Sequence, residues 1–433
     1  MNALIYAFGV VVFVFGVMAS IALHEVGHLY PAKKFGVKVT QYFVGFGKTV
    51  WSVRRGETEY GIKAIPLGGY VKLVGMLPPA PGHAPTKVRN TNTGMFTQLI
   101  SDARAAEYEH VRPGDEDRLF YRKPWWQKLI VMSGGPLVNV VIALVLFTVV
   151  IVGFGVSKPT TTVAAVSDCV VLASEAGRAC TPADPDTPAK LAGLRPGDRI
   201  LSFNGVAVTS WEQLTDLIRG NADGAAQLRI RRDGAEQVLT TDTLVAPRPE
   251  ALGSDTLVEV GFLGVSPTTV TEREDLGYVA STMWLYTEKT GEAILDLPQR
   301  LVGVAEAAFG GVRANDSPMS VVGASRVAGT IATVEEATWA ERSAGLISLL
   351  AAVNLFVALF NFIPLLPLDG GHIAGALWEA IRRGIARVRR RPDPGYVDVG
   401  KMLPIAYGVG ALLIVMGVLL VYADIVNPVK YPG

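Results

Sequence analysis

Charge is scarce in this chain. Asp, Glu, Lys and Arg make up 18% of its 433 residues, against about 25% in an ordinary soluble domain, and the mean hydropathy is positive at +0.33. That combination argues against a soluble enzyme, and a half-hydrophobic composition excludes disorder. Cysteine is nearly absent: two residues cannot build a disulfide scaffold or a four-cysteine zinc site. Net charge almost vanishes too. Forty basic residues against 39 acidic ones exclude a globally basic nucleic-acid binder, although an average can hide local asymmetry. No internal repeat or low-complexity stretch is present.

What the sequence does have is four long apolar runs. Ala3 to Leu23 is apolar apart from Tyr6 and Ser20, long enough to cross about 30 Å of hydrocarbon. A cleaved signal peptide fits poorly, because no Lys or Arg precedes the run and no small-residue cleavage site follows it. Leu137 to Val156 is free of charge. Leu346 to Leu368 holds Asn354, Asn361, Pro364 and Pro367, and about Pro404 to Val426 carries Asp424 near its end. Any one run could be a buried soluble helix. Four together predict an α-helical polytopic membrane protein, with spans expected within 1–28, 129–156, 345–371 and 404–433.

The connecting segments give an orientation. Leu29 to Lys128 holds 16 basic and 8 acidic residues, and Gly371 to Leu403 holds 7 and 3, including Arg387, Arg389, Arg390 and Arg391. Ser157 to Ala344 holds 16 basic and 25 acidic residues. The positive-inside tendency predicts that 29–128 and the basic loop 372–403 are cytoplasmic, and that both termini and the long middle segment lie outside.

Within that segment, Pro188 to Gly205 reads PAKLAGLRPGDRILSFNG, with a Pro-Gly-Asp turn, a short apolar strand and an Asn-Gly hairpin signal. Trp211 to Arg219 follows at helical spacing and Ala226 to Asp233 alternates like a strand. The stretch from Asp184 resembles a PDZ domain, LAGLRPGDRI being its most specific part. An α+β domain is therefore expected over 157–265. It would either take extended peptide at a sheet edge or act as a spacer that limits access to the membrane. Cys169 and Cys180 fall inside it, as a disulfide if the compartment is oxidising or as two buried thiols. Over 266–344, Asp275 to Phe309 has the helical alternation of an amphipathic helix on the outer membrane surface or on the domain. Met76 to Tyr121 reads as a flexible polar insertion.

The chemistry begins at the end of the first run, with His24-Glu25-Val26-Gly27-His28. On a helix His24 and His28 lie one turn apart on one face and can ligate one zinc ion, with Glu25 beside them as general base. Ionisable residues at a membrane helix end are costly unless they work together. A catalytic zinc takes three protein ligands and keeps a fourth position for water. Asp369 is the best candidate for the third, in NFIPLLPLDGG from Asn361 to Gly371. There Pro364 and Pro367 break the helix and two glycines permit close backbone approach. His372 is read as a neighbour, because the fourth position must stay open.

These residues resemble the site-2 proteases. HEVGH in the first run, NFIPLLPLDGG in the third and a PDZ-like domain between the second and third place the chain near the regulator-of-sigma-E protease group. It is most like the actinobacterial regulated-intramembrane-proteolysis members. Pro66-Leu67-Gly68-Gly69-Tyr70-Val71-Lys72 matches the family's membrane-associated β-loop. Gly135-Pro136 through Asn139 and Ala143 to Phe147 matches its GPxxNxxxAxxxF helix, and Asp316 to Ser320 a short stretch before the third run. One PDZ-like domain in place of two, and the longer insertion after Gly75, are departures that bear on the substrate filter.

The resemblance implies a bacterial cytoplasmic-membrane enzyme with its active site near the cytoplasmic face. It implies one catalytic zinc on His24, His28 and Asp369, with Glu25 activating water. It implies a single-span substrate such as an anti-sigma factor already trimmed outside. Asn139, Asn361 and the strand around Gly68, Gly69 and Tyr70 are then expected to hold the unwound substrate backbone, whose peptide groups need partners in lipid. Tyr60 to Val74 reads as a hairpin-like strand pair with one open edge. A non-catalytic membrane scaffold presenting the PDZ-like domain is the competing reading, and a transporter a weaker third, since no inverted repeat is evident.

Overall fold

The computed structural model describes residues 2–79, 100–105, 111–171, 178–249, 257–311, 313–314, 317–335 and 337–429. Along the chain run α1 (Asn2–Lys34), β1 (Val39–Arg55), β2 (Thr58–Leu73) and α2 (Trp125–Thr148), the last prolonged by a wide turn over Val149–Phe154. Next come β3 (Val156–Val166), α3 (Pro188–Leu191), β4 (Arg199–Phe203), β5 (Val206–Ala207), α4 (Trp211–Gly220), β6 (Ala225–Arg232), β7 (Ala235–Asp242), β8 (Leu244–Pro249), β9 (Leu257–Phe262) and β10 (Val265–Glu272). The chain ends with α5 (Leu276–Leu295), α6 (Leu297–Ala308), α7 (Val321–Thr333), α8 (Trp339–Asn361), α9 (Asp369–Val388) and α10 (Leu403–Val426). Among the described residues four helices are long and apolar enough to cross a membrane: α1, α2 with its extension, α8, and α10 with the turn before it.

The elements fall into two units. The first comprises residues 1–150, 275–302 and 319–425. Its helices meet through small residues, as expected where lipid removes the hydrophobic drive and close van der Waals contact takes over. A methyl group on Gly27 would stand 2.4 Å from the Gly134 carbonyl oxygen, and one on Gly134 would stand 2.0 Å from that of Gly27. The backbones of α1 and α2 therefore touch within the HEVGH motif itself. At the other end of α1, Gly9 admits Ala332 of α7. Asp424 of α10 caps α7: its Oδ2 accepts from the Ser320 N–H at 2.7 Å, the Ser320 hydroxyl at 2.6 Å and the Gly323 N–H at 3.1 Å.

The strands β1 and β2 are long and bent, so each serves more than one partner. Gln41 to Val44 pair with Gly69 to Lys72 on one side and with Glu59 to Ile62 on the other, while Trp51 to Arg55 pair with Thr58 to Ile62. The sequence reading made Tyr60 to Val74 a hairpin-like strand pair of its own. Instead both halves of β2 flank a shared central strand. Left-handed backbone at Gly45 and Gly47, at φ 91° and 84°, turns β1 so that its two halves both pair with Glu59 to Ile62. Leu29, Ala32, Val37, Val39, Leu73, Phe120, Val131 and Met132 form the core that ties this sheet to α1 and α2.

Three more expectations are corrected. The third apolar run does not carry its helix through LDGG: α8 ends at Asn361 and α9 starts at Asp369. Pro364 and Pro367 offer no N–H and disfavour helix in the residues before them, and an aspartate in the first turn suits a new N-terminus. The basic stretch after it is therefore largely helix, with Glu379 buried and paired to Lys128 of α2 at 2.6 Å. The segment 266–344 is not a single helix and linker. Its start, β10, belongs to the sheet of the inserted unit. Asp296 ends α5 just before Pro298, which sits at the second residue of α6, where its missing N–H costs nothing. Only part of the expected insertion 76–121 and of the Asp316–Ser320 stretch lies within the described residues.

The second unit comprises residues 151–274, 303–318 and 426–433. Its main sheet runs β10-β3-β4-β6-β7, with β5 beside β4, and β8 pairs with β9. Strand β6 alternates in and out, burying Ala226, Leu228 and Ile230 on Ile200, Phe203, Leu214 and Ile218. Ser210 caps α4 by accepting from the Gln213 N–H. Cys169 and Cys180 are joined in a disulfide, their Cα atoms 5.9 Å apart.

A partly buried ion pair ties β6 to the turn before β4: Arg232 donates to Asp198 at 2.7 Å through both Nε and Nη2. Burial raises the Asp198 carboxyl, but the Arg232 guanidinium and the Arg195 N–H outweigh it and hold the group below its ordinary value. A carboxylate with a lowered folded pKa contributes stability above its unfolded value of about 3.9 and loses it as pH falls further. Asp198→Asn is expected to destabilise this unit by about 1–3 kcal/mol at neutral pH, read from hydrogen exchange of the β4 and β6 amides in the intact protein. The difference from wild type should shrink below about pH 4.

Candidate active site

The face of α1 that carries Ser20, His24 and His28 looks onto a cavity of about 490 Å³ in the helical unit. Three donor atoms converge there. The Nε2 atoms of His24 and His28 are 3.3 Å apart, and each lies 3.3 Å from Asp369 Oδ2. Among the described residues these three form a cluster able to hold a metal ion. A tetrahedral zinc with bonds of about 2.0–2.1 Å requires donors about 3.3–3.4 Å apart, so the triangle has the edge of one tetrahedral face. The residues therefore fit the ion.

Each donor is fixed from behind. His28 Nδ1 donates to the Val131 carbonyl of α2 at 2.8 Å, which leaves Nε2 with its lone pair toward the triangle. Asp369 is the first residue of α9, brought in by the turn after Asn361. That turn is tight: a methyl on Gly370 would stand 2.1 Å from the Ile363 carbonyl oxygen.

Gly135 of α2 lies directly beneath the imidazoles. A Cβ there would stand 2.2 Å from His28 Nε2 and 2.7 Å from His24 Nε2. In the sequence this glycine belonged to a helix motif, with no sign that it adjoins the histidines. Only the α1–α2 crossing at Gly27 and Gly134 reveals it.

All nine expected site residues line the same cavity: His24, Glu25, His28, Asp369, Asn139, Asn361, Gly68, Gly69 and Tyr70. Glu25 is buried, and Gly69 packs against it so closely that a methyl on Gly69 would stand 2.9 Å from Glu25 Cγ. The strand Gly69–Leu73 pairs with β1 along one side only among the described residues. Tyr42 of β1 donates to the Ala22 carbonyl of α1 at 2.9 Å, tying sheet to helix two residues before His24. His372 lines the cavity as well but is not part of the donor triangle.

Sequence reasoning gave no role to Ser20 or Asn354, which also line the cavity. Both were visible as isolated polar residues inside apolar runs, and the cost of burying such groups was the available signal.

A metal-capable triad beside a carboxylate, set among helices of membrane length, defines a membrane metalloprotease. Known proteins agree: residues 12–392 match peptidase family M50, and the chain belongs to that family. Over 99% of both chains it is 32% identical to the zinc metalloprotease Rip1 of Mycobacterium tuberculosis and 31% identical to zinc metalloprotease Rip1 of Mycolicibacterium smegmatis. Over 84% of both chains it is 29% identical to the metalloprotease MmpA of Caulobacter vibrioides. The protein is a site-2-type zinc metalloprotease, an intramembrane protease whose substrate is a membrane protein.

Proposed function

We propose that this chain hydrolyses a peptide bond within the transmembrane helix of a single-span protein in regulated intramembrane proteolysis. His24, His28 and Asp369 hold one zinc ion and Glu25 is the general base. The observation that carries the reading is the 3.3 Å donor triangle beside a buried carboxylate in a cavity among apolar helices. Bound zinc supplies a Lewis acid for the scissile carbonyl and lowers the pKa of water. Glu25 takes the proton of the attacking water on its carboxylate and returns it to the leaving nitrogen. Gly69, with no side chain, leaves room for that carboxylate.

A helical substrate must unwind before its amide can be attacked, and its freed backbone groups then need partners. The strand Gly68-Gly69-Tyr70, with Asn139 and Asn361 on α2 and α8, supplies them. The substrate class is an anti-sigma factor already trimmed by another protease, as the family resemblance implies.

The chain lies in a bacterial cytoplasmic membrane with its active site near the cytoplasmic face. Both termini and the β-rich unit are outside. That unit is PDZ-like, and either takes peptide or excludes bulky ectodomains. The excess of acidic residues over 157–344, the basic loops and the Cys169–Cys180 disulfide support this orientation.

Chelator treatment of the purified enzyme in lipid vesicles is expected to stop cleavage of a single-span peptide, and zinc alone to restore it. Cleavage indifferent to chelation would contradict the reading. Membranes of a strain carrying Glu25→Ala should accumulate trimmed single-span fragments, visible by comparative proteomics, that the wild type lacks.

A further inference from the structure

Asn354 is almost entirely enclosed, at 1% exposure, yet lines the catalytic cavity. Its amide orientation is set by its neighbours. Nδ2 lies 2.8 Å from the Leu350 carbonyl, which only accepts, and 3.0 Å from Ser20 Oγ. The Ser20 hydroxyl proton is itself committed to the Gly16 carbonyl at 3.0 Å, so Oγ receives the Asn354 donor. Both amide protons are thereby used, and Oδ1 is left buried with no partner among the described residues. A buried acceptor left unpaired costs about 1–3 kcal/mol. Holding the amide nitrogen from α1 while leaving unpaired the oxygen of a cavity-lining residue is not what helix–helix adhesion alone requires.

We infer that Asn354, oriented by Ser20, is a substrate-binding residue whose Oδ1 accepts a backbone N–H of the unwound substrate. The inference rests on the proposed intramembrane cleavage and adds a recognition point to it. Ser20 precedes His24 by one turn of α1, about 6 Å along the axis. An extended chain advances about 3.3 Å per residue, so the amide it reads lies about two residues from the scissile bond, toward the α1 N-terminus. Asn354 is also two turns before Asn361 on α8, so the two amides form a stripe that follows the substrate. The ligand is main chain rather than side chain, which allows an enzyme to bind unwound helices of differing sequence.

The test uses the full-length enzyme in lipid vesicles and a synthetic single-span peptide that the wild type cleaves. Amide-to-ester replacements are walked through the residues on both sides of the scissile bond, since an ester removes one N–H and little else. One replacement about two residues away should lower wild-type kcat/KM by about tenfold, the worth of one hydrogen bond in a desolvated site. Asn354→Leu should lower kcat/KM for the all-amide peptide by a similar factor. It should cause no further loss with that one ester, and zinc content should be unchanged.

A purely structural role predicts the opposite pattern, in which Asn354→Leu and every ester act independently. That result overturns the inference and leaves the protease reading intact. If Asn354→Leu loses zinc or does not fold, Ser20→Ala takes its place, expected to weaken the same single ester effect by a few-fold. An ester effect unchanged in Ser20→Ala also overturns the inference. A wild type that cleaves no single-span peptide overturns the functional reading and this inference with it.

Discussion

Glu25→Ala is expected to retain zinc at the wild-type level and to cleave a single-span substrate roughly a hundred- to ten-thousandfold more slowly, the usual range for removing a general acid–base group. The retention follows from geometry. Glu25 is not a corner of the donor triangle formed by His24, His28 and Asp369, so its loss removes no ligand. The rate loss follows from the proton inventory of hydrolysis. One proton must leave water and one must reach the departing nitrogen. Among the described residues the cavity has no second carboxylate outside the triangle: of those that line it only Glu25 and Asp369 are acidic. Substrate should still bind, since the strand Gly68-Gly69-Tyr70 and the asparagines are untouched, so the loss is expected in kcat rather than KM.

Gly135→Ala is expected to lose zinc by about a hundredfold or more in affinity, and activity with it. Changes that only perturb a ligand's orientation already cost about 10–100-fold. Here a methyl group would occupy space 2.2 Å and 2.7 Å from the two imidazole Nε2 atoms. Alanine favours a helix over glycine by up to about 1 kcal/mol, so helix propensity cannot account for a loss. Gly153, with open space around the same hypothetical Cβ, is the control: Gly153→Ala should leave zinc and activity at wild-type levels. Zinc content and thermal midpoint measured on both variants decide the case.

Much of this was legible in the sequence, and the parts that were not share a cause. The four apolar runs and the positions of His24, Glu25, His28 and Asp369 are local signals of composition, spacing and punctuation. The boundary of the third helix was half legible. Pro364 and Pro367 announced a break, but only the closed turn at Gly370 shows that Asp369 opens α9 instead of ending α8.

The hairpin expected within Tyr60 to Val74 failed because pairing depends on where Gly45 and Gly47 bend β1, and alternation along one strand does not encode that. Gly135, and the bond between Asn354 and Ser20, arise where distant helices meet. Glycine at residue 135 reads as a weak helix former until the α1–α2 crossing brings two imidazoles over it. Serine at residue 20 reads as a tolerated polar residue until Asn354, 334 positions away in sequence, donates to it.

The central claim is that His24, His28 and Asp369 hold a catalytic zinc. Its most direct test is the zinc content per chain of purified wild type and Asp369→Ala, with folding monitored in parallel. The account predicts about one zinc ion per wild-type chain and a near-complete loss in a folded Asp369→Ala variant. No zinc in the wild type, or full zinc in Asp369→Ala, would contradict it.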